Sequence, residues 1–215
     1  MAYTKNFGFR HKAGVILPVS SLPSKYGIGS FGREAHKFLD FLDAAGQKCW
    51  QVLPLNPTSY GDSHYQSPAS SAGNPYFIDL EILQQKGLLT KEELAAQRYD
   101  SERVDYGRLF NTRYPVLRQA YSRFKPDAVY RTFVTKNAFW LENYALFMAL
   151  KVHYGHRQWT DWEEEHRDYH KAQLHKAAFE PEMAFWRWVQ FEFAVQWQAV
   201  RAHAKQCGIT IIGER

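Results

Sequence analysis

The sequence predicts an α/β protein with a parallel sheet, interrupted between its second and third strands by a large, mainly helical insertion. Three observations carry that reading. Two short apolar runs near the N-terminus are bounded by turn formers and separated by one amphipathic helix. Residues 79 to 181 then show helical periodicity broken by polar stretches. A long, aromatic-rich helix finally delivers the chain into a third apolar run, "ITIIG".

Taken in order, "AGVILPVSSLP" (Ala13 to Pro23) is an apolar run stopped by serine and proline, the pattern of a strand buried on both faces. The loop "SSLPSKYGIGSFG" follows. In "REAHKFLDFLDAAG" the residues Ala35, Phe38, Leu39 and Leu42 form one helical stripe, and Gly46 stands where a C-terminal cap belongs. "CWQVLPL" (Cys49 to Leu55) is the second strand. Strand, loop, helix and strand in so short a span make a βαβ unit with parallel strands. Within the insertion, "LTKEELAAQR" places Thr90 and Glu93 in a capping box. "FWLENYALFMALKVHY" aligns Leu141, Tyr144, Ala145, Met148, Ala149 and Val152 on one face. The long helix "PEMAFWRWVQFEFAVQWQAVRAHAKQCG" aligns Trp186, Val189, Phe193, Trp197 and Val200, and Gly208 stops it.

The 215 residues are 45% hydrophobic and 16% aromatic, enough for one sizeable core and a subdomain. Lys and Arg number 27 against 22 Asp and Glu, a net +5 spread without any basic run. That dispersion weighs against a nucleic-acid or anionic-membrane partner. The N-terminus has no apolar run suited to a signal peptide, and nothing later approaches a membrane span. Cys49 and Cys207 are the only cysteines, which fits a reducing compartment. The expectation is a soluble, cytoplasmic protein without disulfides, both cysteines acting as packing residues.

Two motifs invite chemistry and are set aside. Gly27, Gly29 and Gly32 give G-x-G-x-x-G between a strand and a helix, as in dinucleotide sites. However, Pro18 and "SSLPSK" intervene where that motif needs a tight turn, and no acidic residue ends the second strand. A turn-forming loop over a pocket fits better, and no cofactor is expected. His166, His170 and His175, or His153 and His156, have helical spacing for metal ligands, but "DWEEEHRDYHKAQLHK" reads as a solvated charged face. No metal is expected.

The second strand opens into "PTSYGDSHYQSPASSAGNPYF" (Pro57 to Phe77), with three tyrosines, five serines, three prolines and two glycines. Turn formers at that density exclude helix and strand. Loops after the carboxyl ends of parallel strands carry function in α/β proteins. Tyr60, Asp62, Ser63, Tyr65 and Gln66 are the candidate substrate-binding residues. Tyrosine faces stack on pyranose rings, and Ser, Asp and Gln match their hydroxyls. The same composition also suits an ordered surface loop pinned by Asn74-Pro75.

At these residues the chain resembles a known family. "AGVILPVSSLPSKYGIGSFG", "CWQVLPLNPTSYGDSHYQSPASSAGNPYFIDLEIL", "LENYALFMALK" and "FEFAVQWQAVRAHAKQCGITIIG" are similar to the 4-α-glucanotransferases, the amylomaltases of glycoside hydrolase family seventy-seven. The resemblance runs from about Ala13 to Gly213. It implies a partial (β/α)8 TIM barrel, its first three strands present, with the helical insertion between strands 2 and 3. It further implies α-1,4-glucans (maltooligosaccharides) as partners, no cofactor, and a retaining mechanism through a covalent glycosyl-enzyme. By the resemblance, Tyr60 matches a remote glucan-stacking tyrosine, while Ser63 and Tyr65 match residues touching the bound chain.

The resemblance also implies departures. Family members are longer, with their catalytic carboxylates beyond the third strand, so no catalytic residue is expected in this chain. After "GITIIG" the family continues with an active-site aspartate, where Glu214 and Arg215 stand here. The expected organisation is residues 1–56 as the start of the barrel, 57–182 as the glucan-cleft loop and helical subdomain, and 183–215 as a barrel helix and third strand. Val15 to Val19 and Ile209 to Ile212 are then expected as unpaired sheet edges. Two functions follow: part of a 4-α-glucanotransferase that is inactive alone, or a non-catalytic glucan-binding or interaction module.

Overall fold

Three parallel strands, β1 (Gly14–Ile16), β2 (Cys49–Gln51) and β3 (Thr210–Ile212), form a sheet in the order β1-β2-β3. The computed structural model describes residues 12–58, 61–99 and 102–213. Val15 pairs with Trp50 and Trp50 with Ile211, so the βαβ unit is parallel, as its sequence predicts. Gly14 is required at its position: a Cβ there would lie 2.5 Å from the Cβ of Cys49.

The strands are shorter and less enclosed than their apolar runs suggest. Val19 lies in a 3-10 turn, Val19–Ser21, and not in β1. β1 and β3 each pair on one side only, so Ile16 is 64% exposed and Ile212 42%, whereas Trp50 of the central strand is fully buried. In β2 the Trp50 face is buried while Cys49 and Gln51 on the other face are half-buried, so none of the three described strands is buried on both faces. Trp50 Nε1 donates to Leu17 O (2.8 Å), extending the union of the first two strands beyond the ladder.

Helix α1 (Arg33–Ala44) connects β1 to β2, burying Ala35, Leu39 and Leu42 completely, with Gly46 left-handed at its exit. Next come α2 (Leu80–Gln85), α3 (Lys91–Ala96), α4 (Tyr106–Tyr121) and α5 (Ala128–His153). The short α6 (Glu164–Arg167) and α7 (Tyr169–His175) lead to α8 (Glu180–Gln206) and so to β3. The capping box at α3 forms as its sequence predicts.

The apolar residues gather in two clusters that share α8. Its first half packs Trp186, Trp188 and Val189 against Leu141, Ala145 and Ala149 of α5 and Leu117 of α4. Its second half packs Val200 and Ala204 with Leu39, Trp50, Phe31 and Phe77. One long helix thus ties the sheet to the helical segment. Each fully buried large side chain contributes roughly 1.5–3 kcal/mol, which makes α8 the main adhesive of the fold.

Candidate functional site: an aromatic cleft beside the loop after β2

Asn56, five residues past the end of β2, clasps the loop that opens there. Its Nδ2 donates to Ser70 O (2.8 Å) and Ala72 O (3.0 Å), and Asn74 N donates to Leu55 O (2.8 Å). The loop ends therefore lie together, as in a compact surface loop. His64 anchors its middle, with Nε2 3.2 Å from Ser20 Oγ and its ring stacked on Phe77. Burial lowers the His64 pKa, keeping the imidazole neutral near pH 7.

Between this loop, α4 and the end of α5 lies a cleft of about 520 Å³. One wall is aromatic. Tyr106, Phe110 and Tyr114 project from α4 at successive turns, and Tyr76 stands beside them, 6.1 Å from Tyr106 and 5.9 Å from Tyr114 between ring centroids. The other side carries Lys151 and His156, whose ring meets Phe110 edge-on at 4.9 Å. Pro57, Thr58, Gly61 and Asp62 bring the loop to the rim.

The phenols here are held protonated. Burial pushes Tyr76 up to about 12, and Tyr106 and Tyr114 are raised mainly by the same cause. Burial also lowers Lys151 and His156. Among the described residues the cleft thus offers flat apolar faces, neutral hydroxyls, one carboxylate, Asp62, and one amine, Lys151. Flat faces edged by hydroxyls match a polyhydroxylated ligand. Asp62 (φ 57°) and His156 (φ 63°), the two non-glycine residues with left-handed backbone among those described, both line it. Asp and His tolerate that region better than most residues, yet it still costs energy, and such strain concentrates at binding sites.

The other sequence candidates are dispersed along the loop. Ser63 Oγ accepts from Tyr65 N (3.2 Å), and Gln66 N donates to Ser63 O (3.2 Å), so Ser63 shapes the turn. Tyr65 is 68% exposed, and Gln66 is also exposed; neither lines the cleft. Tyr60 lies outside the described residues. Sequence reasoning missed Tyr106, Phe110 and Tyr114, although their four-residue spacing in "YGRLFNTRY" was the available signal.

The glycine loop does not cradle phosphate. A Cβ on Gly32 would lie 2.0 Å from Asp79 Oδ2, because that carboxylate sits against the start of α1, accepting from Ser30 Oγ (2.6 Å) and Ile82 N (3.0 Å). An anion there would meet a negative charge. His166 is held by Tyr154 Oη at 2.6 Å and lies among the rings of His153, His175 and Phe179.

A parallel sheet with helical crossovers and an aromatic, hydroxyl-bearing cleft beyond a strand's carboxyl end is the layout in which α/β proteins place their ligand sites. The sequence model of the 4-alpha-glucanotransferase family, glycoside hydrolase family seventy-seven, matches residues 17–214, and the chain belongs to that family. It is 44% identical over 202 residues to a 4-alpha-glucanotransferase of Clostridium butyricum, covering 91% of this chain and 42% of that protein. A Thermus thermophilus 4-alpha-glucanotransferase is 44% identical over 209 residues, covering 94% of this chain and 41% of that one. The chain therefore spans less than half the length of these relatives. The amylomaltase of Streptococcus agalactiae, solved in complex with acarbose, superposes with a TM-score of 0.87 at 34% identity, over 94% of this chain and 43% of that one. The sheet and helices are accordingly an N-terminal portion of the amylomaltase barrel.

Proposed function

We propose that this chain is the glucan-binding N-terminal portion of a 4-alpha-glucanotransferase, and that the cleft between α4 and the loop after β2 holds α-1,4-glucan. The observation that carries the reading is the wall of Tyr76, Tyr106, Phe110 and Tyr114, with Thr58 and Asp62 of the loop at its rim. Sugar rings stack on aromatic faces, while equatorial hydroxyls exchange hydrogen bonds with phenols and amides. Asp62, Ser63, Tyr65 and Gln66 extend this surface along the loop, and Tyr60 is the further substrate-binding residue of the proposal. Residues 57–182 form the glucan-contacting unit, and 1–56 and 183–215 belong to the barrel. A cytoplasmic location suits a maltodextrin-processing enzyme; among the described residues no helix is long and apolar enough to cross a membrane.

Binding, and not bond cleavage, is the role of this cleft. Retaining transfer needs a carboxylate nucleophile and a carboxylic acid about 5–5.5 Å apart. Among the described residues lining the cleft, Asp62 is the single carboxylate. In a complete enzyme the donor glucan would be held as a glycosyl-enzyme and passed to an acceptor 4-hydroxyl by carboxylates elsewhere.

The test is a pair of measurements on the purified chain. Maltoheptaose should give saturation-transfer signals from its sugar protons, whereas maltotriose should release no glucose. Absence of sugar signals contradicts the binding role, and glucose release from a contaminant-free preparation contradicts the non-catalytic one.

A further inference from the structure

Helices α1 and α8 bring together a second group of chemically active side chains, on the outer side of the sheet's crossover and unrelated to the cleft. His36 and Asp40 are one turn apart on α1, and His203 and Cys207 are one turn apart at the end of α8. His203 is gripped at both ring nitrogens: Nδ1 lies 2.8 Å from His36 Nδ1, and Nε2 lies 3.0 Å from Asp40 Oδ1. The Cys207 thiol completes the group, with the ligand atoms of Asp40, His203 and Cys207 all within 4.8 Å of one another.

We propose that Asp40, His203 and Cys207 form a binding site for a borderline divalent transition metal of the Zn²⁺ or Co²⁺ class. One carboxylate oxygen, one imidazole nitrogen and one thiolate are a tetrahedral donor set for such ions, with water as the fourth ligand. With metal–ligand bonds of roughly 2.0–2.3 Å, the Asp40 and His203 donors must open slightly from their hydrogen-bonded contact while the Cys207 sulfur closes on the ion. In the metal-bound form the His203 proton resides on Nδ1 and is donated to His36 Nδ1, leaving the Nε2 lone pair for the ion. His36 then fixes the tautomer and ring orientation of a ligating histidine from outside the coordination sphere. Binding releases the thiol proton to solvent. Hard ions such as Mg²⁺ are disfavoured by the sulfur. The ion would cross-link the helix entering β2 to the helix entering β3, two elements whose ligands are far apart in sequence.

The experiment is a Co²⁺ titration of the tag-free, reduced chain followed by absorption. The expected result is a near-ultraviolet thiolate-to-cobalt band with visible bands of tetrahedral intensity, all displaced by Zn²⁺. Cys207→Ser should abolish the thiolate band, Asp40→Asn should weaken cobalt binding tenfold or more, and Cys49→Ser should leave both unchanged. Circular dichroism of each variant checks the fold, and the exposed Asp40 tolerates substitution. A spectrum without a thiolate band overturns the proposal. So does a band that survives Cys207→Ser and disappears with Cys49→Ser.

Discussion

The side-chain amide of Gln190, buried in α8, pairs with both backbone groups of Gly73: Gly73 N donates to Gln190 Oε1 at 2.7 Å, and Gln190 Nε2 donates to Gly73 O at 2.9 Å. Gln196 takes the same role toward Asp79, whose N donates to its Oε1 at 2.7 Å. The long helix thus reads the exit of the cleft loop as a neighbouring strand would, pairing its side-chain amides with the loop's main chain. Replacing Gln190 by leucine strands a buried N–H and C=O, each worth about 1–3 kcal/mol when unsatisfied. Denaturant unfolding of Gln190→Leu should therefore show a loss of about 2–4 kcal/mol. Gly73→Ala should also destabilise, because its Cβ would meet the Phe193 ring at 2.3 Å.

Arg113 is a second buried staple. Its guanidinium donates to the carbonyls of Ile78 (3.0 Å) and Tyr26 (3.1 Å), tying α4 to the loops that precede α2 and α1. Burial lowers its pKa to about 10, so it still carries its charge at neutral pH. Arg113→Lys keeps the charge but loses the fork that reaches two carbonyls at once. It should cost about 2 kcal/mol or more by thermal or denaturant unfolding, since a buried charge is left with fewer partners. A change within 0.5 kcal/mol of the parent, on the order expected for surface substitutions, would contradict this role.

Acid should weaken the fold through His64 and His156. Burial depresses both pKa values below 6.5, so the unfolded state binds protons more readily than the folded one. Stability is then fully present above the unfolded value and declines as pH falls through the depressed folded values. Lys151 and Arg118 reinforce the depression at His156, opposed by Glu182. Unfolding midpoints measured from pH 7 downward should fall, and His64→Gln should flatten part of that decline.

Asp62 separates binding from stability. Asn tolerates left-handed backbone as Asp does, so Asp62→Asn should leave the unfolding midpoint unchanged. It removes the cleft's carboxylate acceptor, and the affinity for maltoheptaose should fall several-fold. On the exposed loop, Tyr65→Ala should cost more affinity than Tyr65→Phe, because the ring face supplies about 1 kcal/mol that the hydroxyl does not.

The βαβ unit is legible in sequence because its signals are local: a stripe at Ala35, Leu39 and Leu42, a glycine stop at Gly46, and apolar runs on either side. The burial of β1 and β3 is not, since exposure of Ile16 and Ile212 depends on neighbours that periodicity does not name. The cleft divides in the same way. The loop from Pro57 to Phe77 announces itself by turn formers, and Asp62 lies on its rim. Tyr106, Phe110 and Tyr114 share the spacing of an ordinary core stripe, and their partner His156 comes from beyond the end of another helix. Likewise His36 with Asp40 and His203 with Cys207 are each unremarkable helical pairs until α1 meets α8.

The central claim, that the aromatic cleft on α4 binds α-1,4-glucan, is tested most directly by calorimetric titration of the chain and its Tyr106→Ala variant with maltoheptaose. The cleft predicts saturable binding that weakens about tenfold, or 1.4 kcal/mol, in the variant, measured at a temperature where its unfolding curve shows it folded. Equal affinities for the two proteins, or no binding by the parent, would contradict it.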